Sequence, residues 1–364
     1  METHIRNDTG LGYFNLARGI GILLIVMGHS MNIFRIPSGQ GEIELFGRTG
    51  SILGGGIIGA FFMISGFGFY SRSPRKCLKI QKKLLLRPYA IVAVSVLITK
   101  LLLAVVKRRS FWHHGGELVL TYLLGLNAEG GGNFCGIPVE SVSILWFILA
   151  LFGGWLIYNA CMQLPSGLLQ GLMIVGCVIM SYLLTWVSKV WPFCIPMALL
   201  AVGYLAAGDW IRKKQLLWRK MPWWVWSILF LTMLTCAAFG EVNIVAAVWH
   251  LGLLDVWGTF CTGFLLLRMY ARVMERNLHG MLVKFLEEIG FRSIWIVCLH
   301  AYEKIIFPWY RIYEIFPEQP LLAVFICFLG RCGVMYVLYR LILLISRKWK
   351  KSGWKKKIII ECRR

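Results

Sequence analysis

The sequence is poor in charged residues, and acidic residues are the scarcest of them. Only 15% of its 364 residues are charged, with 17 Asp and Glu against 39 Lys and Arg. A soluble globular domain has about 25% charged and about 45–50% apolar residues, whereas 58% of this chain is hydrophobic. The deficit of charge therefore excludes an intrinsically disordered chain and a soluble enzyme.

The patterns of a secreted or metal-binding protein are also missing. The 11 cysteines form no paired framework, and most lie inside apolar runs, where cysteine acts as a small hydrophobic residue. No Cys and His spacing predicts a metal site. The N-terminus carries Glu2 and Asp8, and the first apolar run lacks a small-residue cleavage site. We therefore expect this run to remain as a helix.

Long apolar runs recur from residue 19 to residue 346, and they predict an all-α integral membrane protein. A spanning helix needs about 20 mostly apolar residues. About ten segments meet this condition: 17–35, 52–71, 88–106, 142–161, 167–187, 191–210, 222–239, 244–267, 292–309 and 320–345. The longest outer loop, residues 107–141, contains short apolar pieces that are consistent with partial re-entry.

The distribution of positive charge predicts the orientation. With the N-terminus inside, 28 Lys and Arg residues fall on the inner side and 8 on the outer side, so both termini are expected to be cytoplasmic. We expect one transmembrane domain over residues 1–346 and a basic cytoplasmic tail over residues 347–364. Because the charge lies in short clusters between apolar runs, the net charge of +22 indicates a bilayer and no nucleic acid as partner.

Two ionisable residues of the first predicted helix stand out. Arg18 and His29 are eleven residues apart, which places them on one stripe of a helix, about 16 Å apart along its axis. Ionisable residues inside a span are costly and are functional by default. A desolvated imidazole is expected to be neutral, and a neutral His29 can accept a proton from an alcohol during acyl transfer. The alternative is a histidine that only hydrogen-bonds a neighbouring helix.

Later apolar segments contain further ionisable residues. His300 and Glu303 are three residues apart on the ninth predicted helix, so the carboxylate can orient the imidazole, although a packing role fits equally well. Asp255 is expected to lie mid-span in the eighth helix and to neutralise Lys100 or Arg331, which also fall within spans.

A basic run follows the second predicted helix. Arg72, Arg75, Lys79, Lys83 and Arg87 recur every three or four residues, which predicts one charged face of a helix. Such a face would attract an anionic cytoplasmic donor, but inner-loop topology alone also produces positive charges. The lysines lack the bidentate fork of arginine and would hold a phosphate as point charges.

Taken together, these patterns resemble the acyltransferase 3 family of integral-membrane acyltransferases. The matching motifs are Arg18-x10-His29 followed by Ser30, Phe61-Phe62-x-x-Ser65-Gly66, Arg72-x-x-Arg75, Leu145-Trp146-Phe147-Ile148 and the late-helix His300. The resemblance covers essentially the whole chain, and Arg-x10-His is its most specific part. On their own, Ser65-Gly66 and Gly55-x-x-x-Gly59 predict close helix approach, and the Ser30 hydroxyl is expected to bond its own helix backbone.

The resemblance implies a membrane acyltransferase that moves an acyl group, most often acetyl, from acyl-CoA to a hydroxyl of a cell-envelope glycan or a related acceptor. It implies His29, Arg18 and His300 as catalytic residues, and a donor phosphate site formed by Arg72, Arg75, Lys79, Lys83 and Arg87. No permanently bound cofactor is expected, since acetyl-CoA or another acyl-CoA enters as a substrate. A bacterial-type plasma membrane is the expected location.

Two other functions stay open at this point. A transporter or flippase of an envelope precursor would carry an internal repeat and broken helices in matching halves, and we find neither by eye. A polytopic glycosyltransferase that uses lipid-linked sugars has only Glu42-x-Glu44 in the first outer loop in its favour.

Overall fold

In a computed structural model, the chain is mostly helical. The structure describes residues 11–33, 41–106, 111–128, 131–246, 248–276 and 278–351. Its helices are α1 (Asn15–Ile33), α2 (Gly41–Phe67), α3 (Pro74–Gln81), α4 (Arg87–Val106), α5 (Phe111–Leu124), α6 (Trp146–Cys161), α7 (Gly167–Val187), α8 (Ile195–Lys213), α9 (Trp223–Phe239), α10 (Leu253–Met274), α11 (Met281–Phe291), α12 (Ser293–Ile306), α13 (Tyr310–Ile315) and α14 (Pro320–Lys351).

Short irregular elements connect these helices. Single 3₁₀ turns lead into α1, α6 and α8, at Leu11–Phe14, Ser143–Leu145 and Pro192–Cys194, and a π-helical turn, Lys82–Leu86, joins α3 to α4. The strands of the described ranges form two antiparallel hairpins. They are β1 (Gly132–Phe134) with β2 (Ile137–Val139), and β3 (Val242–Asn243) with β4 (Val248–Trp249).

Seven helical stretches of the described residues are long and apolar enough to cross a membrane. They are Leu11–Met31, Gly47–Phe67, Pro74–Val106, Ser143–Cys161, Gly167–Val187, Pro192–Lys213 and Pro320–Leu344. The protein is therefore an all-α, multi-pass membrane protein, while ten spans and two cytoplasmic termini stay predictions. Residues 352–364 of the predicted tail, and 107–110 and 129–130 of the long loop, lie outside the described residues.

The predicted span over 244–267 has the wrong bounds. The hairpin of β3 and β4 occupies its first part, and α10 begins only at Leu253 and continues to Met274. The side-chain Oδ1 of Asn243 accepts hydrogen bonds from the backbone N–H groups of Val245 and Ala246 and so holds the turn of the hairpin. Gly252 then takes a positive φ of 61°, which glycine adopts without steric cost. Apolar composition alone does not distinguish such a hairpin from a helix.

The centre of the helix packing is formed by α2 and α8, which contact each other closely; α2 also packs on α9 and α10, and α8 on α6 and α7. A Cβ atom on Gly66 would lie 2.1 Å from the carbonyl oxygen of Leu205, and one on Gly208 would lie 1.9 Å from that of Met63. This contact confirms that Gly66 allows close helix approach.

The helix that carries His29 is fixed by a similar contact. A Cβ atom on Gly290 of α11 would lie 1.7 Å from the carbonyl oxygen of Asn15, and one on Gly19 of α1 would lie 2.0 Å from that of Leu286. The two backbones therefore touch, and any side chain at these glycines must push α1 away from α11.

Gly290→Ala is expected to lower the melting temperature of the detergent-purified protein, because overpacking a tight contact costs about 1–3 kcal/mol. Gly176→Ala is the matched control, since nothing lies within 4 Å of a Cβ atom added to this residue of α7. The control should melt at the wild-type temperature or slightly above it. Equal melting temperatures for Gly290→Ala and the wild type would contradict the contact.

Candidate active site

Two histidines from distant parts of the sequence meet where α1 packs on α12. His29, near the C-terminal end of α1, and His300, in the middle of α12, have ring centroids 5.3 Å apart and ring planes inclined by 49°. His300 is only 2% exposed. The imidazole of His29 thus turns towards another ionisable side chain.

A carboxylate fixes the ring of His300. Its Nδ1 atom lies 2.6 Å from Oε1 of Glu303, one helical turn further along α12, as the spacing of the two residues predicted. An ionised carboxylate only accepts hydrogen bonds, so Nδ1 of His300 donates, and a neutral ring presents Nε2 as an acceptor. This Nε2 atom is buried and has no hydrogen-bond partner among the described residues.

The carboxylate of Glu303 is itself held by two other donors. Nη1 of Arg331, from α14, lies 3.1 Å from Oε1, and Nε1 of Trp309 donates to Oε2. The guanidinium of Arg331 also lies over the Trp309 ring, with its Cζ atom 5.3 Å from the centroid. Glu303 and Arg331 are both fully buried, so the ion pair satisfies charges that would otherwise be costly.

A second cation borders His29. Nζ of Lys304 lies 3.4 Å from Nδ1 of His29. Arg18, by contrast, is not brought to this cluster: its Nη2 atom donates to the carbonyl oxygen of Leu11, 2.7 Å away, at the start of the same helical segment. The Ser30 hydroxyl donates to the carbonyl oxygen of Val26 at 2.8 Å, which confirms its predicted bond to the backbone.

The basic run follows the C-terminal end of α2, and all of its residues except Arg72 lie in helical elements. Arg72 precedes α3, Arg75 and Lys79 lie on α3, Lys83 lies in the π-helical turn and Arg87 opens α4. The predicted helical face is therefore wrong for Arg72, which precedes α3, and it stays a prediction for the other four residues. Arg75, Lys79, Lys83 and Arg87 are nevertheless all exposed.

One of the comparisons with known proteins identifies the family of the chain. The family model of the acyltransferase 3 family, described as an acyltransferase domain, matches residues 11–340. The chain belongs to the acyltransferase 3 family. Neither the curated proteins nor the solved structures gave a match.

In this acyltransferase, two aromatic family motifs pack against each other. The rings of Phe62 in α2 and Phe147 in α6 have centroids 4.7 Å apart, and Nε1 of Trp155 donates to Oγ of Ser65 at 3.0 Å. The Phe-Phe-x-x-Ser-Gly motif of α2 therefore contacts α6, the helix that carries the Trp-Phe motif.

The predicted role of Asp255 in the acyltransferase is wrong. Asp255 lies in the first turn of α10, where its Oδ2 atom accepts a hydrogen bond from the backbone N–H of Leu251 at 2.7 Å. Lys100 instead pairs with Glu140, and Arg331 pairs with Glu303. A carboxylate at a helix N-terminus compensates the unpaired N–H groups there. Asp255 therefore stabilises the start of α10 and pairs with neither predicted cation, while its Oδ1 atom is buried without a hydrogen-bond partner among the described residues.

Sequence reasoning missed Arg331, Trp309 and Lys304 as neighbours of the acyltransferase histidines. Arg331 and Glu303 carry opposite charges in two late apolar segments of the sequence. This pattern could have indicated that they form an ion pair. Within the described residues, no group of three or more His, Cys, Asp or Glu residues is placed to hold a metal ion.

Proposed function

We propose that the protein transfers an acetyl group from acetyl-CoA, bound on the cytoplasmic side, to a hydroxyl of a cell-envelope glycan. His29 acts as the general base in this proposal. The observation that carries it is the contact between the His29 ring and the His300–Glu303 pair. The family supplies the reaction class, and the positive-inside charge distribution supplies the predicted side of the donor in a bacterial-type plasma membrane.

Acetyl transfer to a hydroxyl needs a group that accepts the hydroxyl proton and later passes it to the leaving group. His29 removes the proton from the acceptor hydroxyl, and the oxygen attacks the thioester carbonyl. The coenzyme A thiolate then leaves and takes the proton from His29, which regenerates the base. While His29 is charged, Nε2 of His300 can accept a hydrogen bond from it, and Lys304 supplies positive charge near the oxygen that becomes negative.

In this proposal, the donor phosphates bind the cations that follow the C-terminal end of α2, namely Arg72, Arg75, Lys79, Lys83 and Arg87. Charge-assisted hydrogen bonds from such groups bind phosphate strongly. Arg18 lies in the N-terminal part of α1, whereas His29 lies near its C-terminal end. His29 lies about 16 Å along α1 from Arg18, so the thioester end of the donor must reach into the bundle.

Replacing Arg72, Arg75 and Lys79 together by Gln is expected to raise the KM for acetyl-CoA more than it lowers kcat. Each lost charge-assisted hydrogen bond weakens binding by about 1.5–3 kcal/mol, but the reacting groups stay in place. Initial rates in membrane vesicles over a range of donor concentrations measure both constants. An unchanged dependence on the donor would exclude these three residues as the phosphate site.

The proposed activity can be tested directly. Inverted membrane vesicles that contain the protein should move radiolabel from the acetyl group of acetyl-CoA into envelope glycan, and vesicles without the protein should not. Mass spectrometry of glycans from cells with and without the gene should show a matching acetyl mass difference. Label that stays in acetyl-CoA, with no glycan difference, would refute the proposal.

A further inference from the structure

An exposed tyrosine and an arginine form a stack beside the basic run. The Cζ atom of Arg212, near the end of α8, lies 4.5 Å from the ring centroid of Tyr70, which follows α2. The exposed fraction of Tyr70 is 61%. Arg212 therefore covers one face of the ring, and much of the remaining surface is open.

The backbone around Tyr70 is held in place although residues 69–73 form neither helix nor strand. Nη2 of Arg212 donates to the carbonyl oxygen of Phe69 at 2.8 Å. On the other side, Oδ1 of Asn159 accepts from the backbone N–H of Arg72 at 3.0 Å, and its Nδ2 donates to the carbonyl oxygen of Arg72 at 2.9 Å. The aromatic ring is thus preorganised on a fixed segment.

Arg212 is anchored by a buried acid. Its Nη2 atom also donates to Oδ1 of Asp209 at 2.7 Å, and the hydroxyl of Tyr158 donates to Oδ2 at 2.9 Å. Asp209 is 2% exposed. In addition, Nε of Arg212 is buried without a hydrogen-bond partner among the described residues. The guanidinium is therefore fixed over the ring by its contacts with Phe69 and Asp209.

The chemistry of this surface fits a nucleotide. Bases stack on exposed aromatic side chains and on arginine planes, and phosphates pair with Lys and Arg. Arg75 and Lys79, on the first helix after Tyr70, are exposed cations. A base with attached phosphates requires a surface on which the base can stack and positive charges next to it for the phosphates. This segment offers both.

We propose that Tyr70 and Arg212 form the adenine subsite of the acyl-CoA donor, and that the phosphates of the same nucleotide lie on Arg72, Arg75 and Lys79. This inference rests on the proposed function. It assigns to Tyr70 a role in binding the nucleotide part of the donor, with no role in the transfer step.

A comparison of two acetyl donors distinguishes nucleotide binding by Tyr70 from a general effect on the protein. Acetyl-CoA carries the nucleotide, and acetyl-pantetheine carries the same thioester without it. Stacking of a base on an aromatic side chain is worth about 1–3 kcal/mol, so Tyr70→Ala should raise the KM for acetyl-CoA about tenfold, with kcat changed less than about twofold. The KM for acetyl-pantetheine should not change. Tyr70→Phe keeps the ring and should behave as the wild type.

Tyr336→Ala is the matched control, because Tyr336 is 55% exposed and also lies under an arginine, with Cζ of Arg340 5.7 Å from its ring centroid. This variant should leave the KM for both donors unchanged. A Tyr70→Ala effect of equal size on the two donors, or no effect on either, would overturn the adenine subsite.

A binding measurement distinguishes failure of the subsite from failure of the proposed function. Adenosine 3′,5′-bisphosphate should bind the purified protein, and Tyr70→Ala should weaken this binding about tenfold. If the wild type binds it in this Tyr70-dependent way but transfers no acetyl group, the proposed function fails and the nucleotide subsite remains. Binding that is absent, or unaffected by Tyr70→Ala, overturns the subsite.

Discussion

His29→Ala is expected to lower acetyl transfer about 10²–10⁴-fold, the usual contribution of a positioned general base. The side chain lies on α1 beside His300, and its removal takes away the group that we propose accepts the hydroxyl proton. The helix itself should persist, because alanine has the highest helix propensity. The protein should therefore insert into the membrane at its normal level.

The rate and the amount of folded protein must be measured on the same sample. Transfer from radiolabelled acetyl-CoA gives the rate, and size-exclusion chromatography in detergent gives the amount. His279→Ala is the control, because His279 is exposed and lies between α10 and α11, outside both helices that carry the paired histidines. Undiminished transfer by His29→Ala would refute His29 as the base, whereas a loss in both variants would indicate a general sensitivity to histidine removal.

The sequence predicted the local part of this site. His300 and Glu303 are one turn apart on a helix, and this spacing alone brings an imidazole to a carboxylate. The periodicity of α1 likewise predicted that His29 lies in an apolar helix. Neither pattern predicts that His29 and His300 lie close together. They are separated by 270 residues in the chain, and only the packing of α1 on α12 brings them together.

Charges on different helices could not be paired from composition. Asp255, Lys100 and Arg331 all fall in apolar segments, so neutralisation of one by another was a reasonable prediction. The partner of Asp255 depended on where α10 begins. Asp255 lies in the first turn of this helix, and its carboxylate accepts a hydrogen bond from the backbone N–H of Leu251. The π-helical turn at Lys82–Leu86 was also not predicted, because a spacing of three and four residues does not reveal a local change of helix type.

Removing the positive charge of Arg331 is expected to destabilise the protein more than any other single change in the histidine cluster. Arg331→Met leaves the fully buried carboxylate of Glu303 without its cation, and breaking one side of a buried pair costs about 3–5 kcal/mol. Glu303→Gln leaves Arg331 unpaired and should also lower the melting temperature. The double variant Glu303→Gln/Arg331→Met has no charge left at either position of this pair and should recover much of the loss.

The order of these variants by turnover should differ from their order by melting temperature. Glu303→Gln removes the negative charge that fixes the tautomer of His300 through its Nδ1 atom. In serine proteases, where a carboxylate also orients a catalytic histidine, replacing that carboxylate by an amide lowers kcat about 10⁴-fold. Because His300 acts through His29 here, we expect a smaller loss, between about 10- and 10³-fold. The double variant should therefore melt close to the wild-type temperature and remain as inactive as Glu303→Gln. If it regains wild-type turnover together with its stability, Glu303 serves only the packing of α12 on α14, and the His300–Glu303 pair has no part in the reaction.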